Sequence, residues 1–234
     1  MQSPEALRRQ YLDAMGITRW ERRVAPPAHA VLPTAVPAPA PAVAAVPSEA
    51  AANWTVLEEA VRACTKCPLH ATRTQTVFGV GNRRAEWLFV GEAPGADEDR
   101  QGEPFVGRAG QLLNAMLAAL GLKREQVYIA NILKCRPPNN RDPQPNEVEQ
   151  CEPYLVRQIE LIRPKLIVAL GRHAAHSLLK TDLALARLRG QRLSYHDIPL
   201  VVTYHPAYLL RTPSDKRKAW EDLRRARALL AEQA

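Results

Sequence analysis

The chain has 234 residues, 46% of them hydrophobic and 24% charged, and 32 Lys and Arg against 24 Asp and Glu give it a formal charge of +8. That length allows one sizeable core plus an appendage, and no run approaches the ~20 apolar residues of a membrane span, so neither an anchor nor a secretory signal is expected. A basic balance of this size suits a polyanionic partner such as nucleic acid, and a cytoplasmic location is expected.

Residues 1–23 carry an apolar stripe of Leu7, Tyr11, Leu12, Met15 and Trp20 flanked by five arginines, which predicts a short amphipathic helix suited to docking on a protein partner. From residue 24 to residue 52 the composition falls to alanine, proline and valine, with seven prolines between Pro26 and Pro47. Such a stretch builds no core and reads as an extended linker, so the folded domain is expected over residues 53–234.

Within that domain four apolar runs have strand length: Trp87–Val90, Val127–Leu133, Leu166–Leu170 and Leu200–Thr203. They are continuous rather than alternating, as in strands buried on both faces. Leu112, Leu113, Met116, Leu117 and Leu120 repeat at helical spacing and stop at Gly121, a C-cap signal. Further helices are predicted from Asn146, as N-cap, to Ile162, after Gly171, and near the C-terminus, where Ala219, Trp220, Leu223, Ala226 and Leu230 share a face. Strands alternating with helices predict an α/β fold, a three-layer α/β/α sandwich around a central, mostly parallel four-stranded sheet. Ligands of such folds bind at the carboxyl ends of the strands.

The stretch GEAPGADEDRQGEPFVGRAGQLL, residues 91–113, starts at the end of the first of those strands and holds five glycines, five carboxylates and one aromatic, Phe105. Its glycines allow close backbone approach, yet it matches neither phosphate-binding glycine pattern and its acidic character disfavours a phosphate at its centre. Glu92 and Glu98 suit a site that positions water or faces a positive centre, while Asp97, Asp99 and Glu103 read as turn and cap residues. Asn131 sits in the otherwise apolar YIANILKC, where an amide needs a partner, structural or bound. His205 follows a strand directly and precedes Pro206, a position at which a titratable ring serves a site.

Four cysteines, Cys64 and Cys67 in CTKC and then Cys135 and Cys151, are expected to bind metal rather than form disulfides. The fifteen residues between the last two break the spacing of a zinc ribbon. An iron–sulfur cluster suits the set at least as well, and spacing alone leaves zinc open.

Taken together, GEAPGADED, PFVGRAGQLL, CTKCPLH, NILKCRPPNNRDP and HPAYLLR resemble the family 4 uracil-DNA glycosylases, over roughly residues 55–230 and in the family's order. The resemblance implies a [4Fe-4S] cluster on Cys64, Cys67, Cys135 and Cys151, and a monofunctional enzyme that flips deoxyuridine out of single- or double-stranded DNA and hydrolyses its glycosidic bond. It implies that Phe105 stacks on the base, that Asn131 reads its Watson–Crick edge, and that His205 donates to the oxygen where charge builds up. Gly91 and the backbone around Ala93 belong to the same base site. Ala93 stands where the best-known branches carry a water-activating aspartate, so Glu92, with Glu98 second, is expected to position water or stabilise the cationic sugar. Glu98 is also suited to crowding a thymine methyl.

By the same resemblance AYLLR enters the minor groove, with Tyr208 alongside, Leu209 or Leu210 as a wedge, and Arg211 on phosphate together with some of Lys216, Arg217 and Lys218. A related branch traps substrate through a histidine after the third cysteine, and KCRPPNNRDPQPNE has none, so turnover is expected. A monomer is sufficient for one DNA-binding domain. The competing readings are a non-catalytic uracil-DNA reader or polymerase-associated factor, and a zinc-bound nucleic-acid scaffold.

Overall fold

The computed structural model describes residues 49–233. The expected N-terminal helix and nearly all of the linker lie outside the described residues. The first helix, α1 (Glu49–Arg62), begins four residues before the expected domain start, so residues 49–52, assigned above to the linker, are helical.

The strands are β1 (Val80–Gly81), β2 (Trp87–Gly91), β3 (Tyr128–Asn131), β4 (Leu166–Leu170), β5 (Leu193–Tyr195) and β6 (Ile198–Thr203). They form one sheet in the order β1-β3-β2-β4-β6-β5. The sheet therefore has six strands and not the four expected. The four expected strands form its parallel centre, and the two extra ones are short antiparallel edges. Strands of two and three residues carry too little periodicity to be read. β5 and β6 are joined by His196 and Asp197, both at positive φ, which makes a tight hairpin without the usual Asn-Gly signal.

Helices cover both faces. Leu88, Val90, Ala130, Ile167, Ala169 and Val202 point to one side, against Trp54 of α1, Leu155 and Ile159 of α4 (Pro145–Ile162), Leu178 of α5 (Arg172–Leu179) and Leu188 of α6 (Leu185–Leu188). Trp87, Phe89, Ile129, Val168 and Val201 point to the other, against Leu113 and Leu117 of α3 (Arg108–Ala119) and Leu223 and Ala226 of α8 (Lys216–Ala231). Alternate strand residues thus meet apolar partners on both sides, which is why each strand reads as an unbroken apolar run.

The remaining helices, α2 (Ala96–Gln101) and α7 (Pro206–Arg211), are short and sit at the carboxyl ends of β2 and β6. The α4 boundary differs slightly from expectation. Pro145 occupies the first turn and Gln144 the N-cap, because the buried Glu147 carboxylate accepts the Gln144 N–H at 2.9 Å and also pairs with Arg141. Gly121 follows α3 with φ 79°, the left-handed turn expected of it. Among the described residues no helix is long and apolar enough to cross a membrane.

Candidate active site

Chain order places the cleft. β2 lies between β3 and β4, so the connections leaving the carboxyl ends of β2 and β3 run to opposite sides and a crevice opens at the end of β2. A cavity of about 750 Å³ fills it, lined by Glu92, Ala93, Glu98, Phe105, Asn131, Tyr208, His205 and Arg211 among others.

Asn131 ends β3 opposite Gly91. It is 2% exposed, and its Oδ1 is a buried acceptor with no partner in the protein. Leaving such an atom unpaired costs about 1–3 kcal/mol, and because Asn131 lines the cleft, a molecule bound there is the candidate donor. Gly91 does not line the cavity; it makes the convergence there sterically possible. A Cβ at this position would collide with Asn131 Oδ1 and stand 2.7 Å from the Phe105 ring.

Phe105 has φ 55°, costly for an aromatic residue, and needs external support. Gly110 lets its carbonyl approach α3, since a Cβ there would overlap it. Glu98 does the rest. Its carboxylate accepts the N–H groups of Val106 at 3.0 Å, Gly107 at 3.1 Å and Gly95 at 3.1 Å, tying both ends of the loop together. These three bonds occupy most of its acceptor positions, so Glu98 braces the loop that carries Phe105. Asp99 does a similar job for the neighbouring loop, accepting from Thr74 N–H at 3.0 Å.

His205 faces Phe105 with ring centroids 5.6 Å apart. Its Nδ1 accepts the Ala207 N–H at 3.1 Å and so caps α7. In the neutral ring the proton is therefore on Nε2. Burial, and then the charge of Arg211, lower its pKa to about 4, so at neutral pH it is an uncharged donor. Gly171, at φ 92°, leaves room for it, as a Cβ there would meet His205 Cβ at 2.8 Å.

Burial, with Asp142 adding to it, raises the Glu92 carboxyl to about 7 against the opposing pull of Arg172. Glu92, Asp142 and His173 bring their polar atoms within 4.8 Å of one another. The Arg172 guanidinium lies 3.6 Å from the Asp142 carboxylate and donates to His173 Nε2 at 3.0 Å, so the group is an ion-pair network around Glu92.

On the far wall Tyr204 stacks on Tyr208 with centroids 5.2 Å apart. Arg189 lies over Tyr204 and is fixed by the buried Asp222, which also accepts from Thr203 Oγ1 at 2.8 Å. Of the two expected wedge residues Leu209 is 1% exposed. It packs inside, whereas Leu210 is partly exposed, so the geometry favours Leu210 of the two.

All four cysteines are free thiols and line one pocket, with Cys64 and Cys67 just beyond α1, Cys135 after β3 and Cys151 in α4. Arg73 Nη1 donates to Cys135 Sγ at 3.0 Å and Lys134 N–H to Cys151 Sγ at 3.2 Å. Burial pushes the Cys151 thiol up to about 11 and Cys135 up as well, so ionising the set requires a strong cation among the sulfurs. A single zinc ion with bonds of about 2.3 Å draws its sulfurs to about 3.8 Å of each other. Among the described residues only the Glu92, Asp142 and His173 group brings three such ligand atoms within 4.8 Å, so no three of the thiols are that close.

A model of the Uracil DNA glycosylase superfamily matches residues 78–224. The chain is 51% identical over 173 residues to a Type-4 uracil-DNA glycosylase of Archaeoglobus fulgidus, covering 70% of this chain and 87% of that one. It is 44% identical over 179 residues to a Type-4 uracil-DNA glycosylase of Thermotoga maritima, covering 75% and 93%. A Type-5 uracil-DNA glycosylase of Pyrobaculum aerophilum is more distant, at 33% over 146 residues. The chain belongs to the type-4 uracil-DNA glycosylase family. In this type-4 chain the sequence reading did not find Asp142, Arg172, His173 or Lys134. Asp142 comes from the segment after β3, and Arg172 and His173 from the first turn of α5 after β4, which only the fold brings beside Glu92, while Lys134 is a buried lysine that its type gives no reason to expect.

Proposed function

We propose that this chain is a monofunctional uracil-DNA glycosylase that extrudes deoxyuridine into the cleft and hydrolyses its N-glycosidic bond. The observation that carries the reading is the orphaned Asn131 Oδ1, buried at the end of β3 with Phe105 and a neutral His205 beside it. Uracil N3–H is the donor that this oxygen lacks, and the amide N–H meets O4. Cytosine presents an acceptor at N3 and a donor at N4, so the same amide would face it with like groups. Phe105 stacks on the ring, and His205 donates from Nε2 to O2.

As the bond between N1 and the sugar C1′ lengthens, its electron pair moves into the ring and charge grows on O2. A preorganised neutral donor stabilises that charge without first having to lose a proton. Water adds to C1′ and gives its proton to Glu92, whose raised pKa matches a base working near neutrality. Burial sets most of that basicity, with Asp142 adding to it and Arg172 opposing it. Arg211 meets phosphate, and Leu210 fills the space left by the extruded base.

Cys64, Cys67, Cys135 and Cys151 hold a [4Fe-4S] cluster in this reading, which the convergence of the four free thiols on one pocket supports. When bound, the cluster supplies a crosslink between the end of α1 and the β3–α4 segment. The test is an end-labelled oligonucleotide with one uracil, run beside cytosine and thymine controls and cleaved by alkali at abasic sites. Strand breaks confined to the uracil substrate are expected. Binding of uracil DNA without any alkali-labile site would sink the enzyme and leave a uracil-DNA reader.

A further inference from the structure

We propose that Lys134 is a positioning residue of the uracil site: a buried cation balanced by the cysteine thiolates, whose ammonium fixes the strand end that carries Asn131. The inference rests on the glycosylase reading above.

Lys134 is 1% exposed and ranks with Tyr128 and Phe89 among the largest fully buried side chains. A lysine at such depth needs both hydrogen-bond partners and an opposing charge. Its Nζ donates to the Asn131 backbone carbonyl at 2.9 Å and to Gln158 Oε1 at 2.6 Å. Both acceptors are neutral. Gln158 is itself held by Phe78 O at 3.0 Å and Tyr128 Oη at 3.3 Å, so the ammonium sits in a fixed cradle. The opposing charge would come from the sulfur set on the other side of the residue, whose thiols become thiolates when a cluster is bound. The Lys134 backbone N–H donates to Cys151 Sγ at 3.2 Å, and Cys135 is the next residue in the chain.

One residue therefore touches both centres. Its main chain reaches the sulfur set and its side chain holds the residue whose amide faces the cleft. Ionised sulfurs let the ammonium stay buried, and the buried ammonium keeps the Asn131 carbonyl, and with it the end of β3, in one place. Base reading then depends on the integrity of the cluster although no cysteine lines the cleft. Removing the charge should loosen the metal set and the base site together, whereas a lysine that merely filled space would affect neither separately from overall stability.

The experiment uses the full-length, iron-loaded protein as wild type, Lys134→Gln and Lys134→Met. Three quantities are read: the rate of iron release to a chelator, the single-turnover rate of uracil excision with the Kd for DNA beside it, and the inhibition constant of free uracil. Loss of a charge-assisted bond predicts iron release at least about tenfold faster, and excision and free-uracil affinity each at least about tenfold weaker, with DNA affinity unchanged. Gln, which retains an N–H donor and a similar shape, should remain foldable if Met does not, and should already show all three effects. Wild-type iron release in the Gln variant overturns the charge balance, and wild-type uracil affinity overturns the tie to Asn131. An iron-loaded wild type that excises no uracil overturns the glycosylase reading and this inference with it; an active wild type with unchanged variants overturns this inference alone.

Discussion

Glu98→Gln separates a brace from a catalyst. Glu98 accepts three backbone N–H groups, two through Oε1 and one through Oε2. A glutamine can keep its oxygen toward Val106 and Gly107, but its amide nitrogen then faces the Gly95 N–H, donor against donor. One bond to a charged acceptor is lost, worth about 1.5–3 kcal/mol, and the other two lose their charge assistance. Taking about 2 kcal/mol, a domain of this size should melt about 4–8 °C lower. The same change frees the loop that holds Phe105 at positive φ, so the free-uracil inhibition constant should rise as well. Differential scanning calorimetry and single-turnover excision, measured on the same preparation, provide the check. An unchanged Tm with excision reduced by about 10²–10⁴, the loss typical of a missing general base, would refute the brace and restore Glu98 as a catalytic carboxylate.

Glu92, with its pKa near 7, should give single-turnover rates that rise about tenfold per pH unit below 7 and level off above it. His205, titrating near 4, adds no second limb between pH 5 and 8. A carboxyl whose folded pKa is raised costs the fold stability as pH climbs from its unfolded value toward 7, so Glu92→Gln should flatten the rate profile and raise Tm at pH 8 but not at pH 4. Gly91→Ala should drive the Phe105 ring and the Asn131 amide apart, costing about 1–3 kcal/mol in urea denaturation and most of the free-uracil affinity. Asp222→Asn strips the partly buried Arg189 of its counter-charge and should cost about 1.5–3 kcal/mol, much of it recovered in the double variant with Arg189→Met; a double variant no more stable than the single would count against that account.

The centre of the fold was legible because its strands are buried on both faces and read as uninterrupted apolar runs. The edges were not, since β1 and β5 offer two and three residues and the hairpin turns on His196 and Asp197. At the cleft, Asn131 and His205 stood out as polar residues at the ends of apolar strands, and the fold does bring them together. Glu98 was visible as a carboxylate, but its three backbone donors come from folded loop geometry that spacing does not encode. Leu209 and Leu210 are indistinguishable in sequence, and only the docking of α7 buries one and leaves the other partly exposed. Lys134 was hidden by its type, because a lysine in a row of residues is read as solvated until the cradle around it is seen.

In the proposed reaction, the cap that His205 places on α7 would couple two events. The ring that would donate to the departing base is also the first link of the helix bearing Leu210 and Arg211. A push on that helix by a DNA backbone would reach the imidazole through the Ala207 N–H bond to Nδ1 and through the Tyr208 and Leu209 N–H bonds to the His205 carbonyl. A duplex that fails to seat the helix would therefore present a misaimed donor, and an undamaged base that wandered into the cleft would meet a machine that had not been cocked. On that proposal, strand engagement and bond cleavage would be two ends of one lever six residues long.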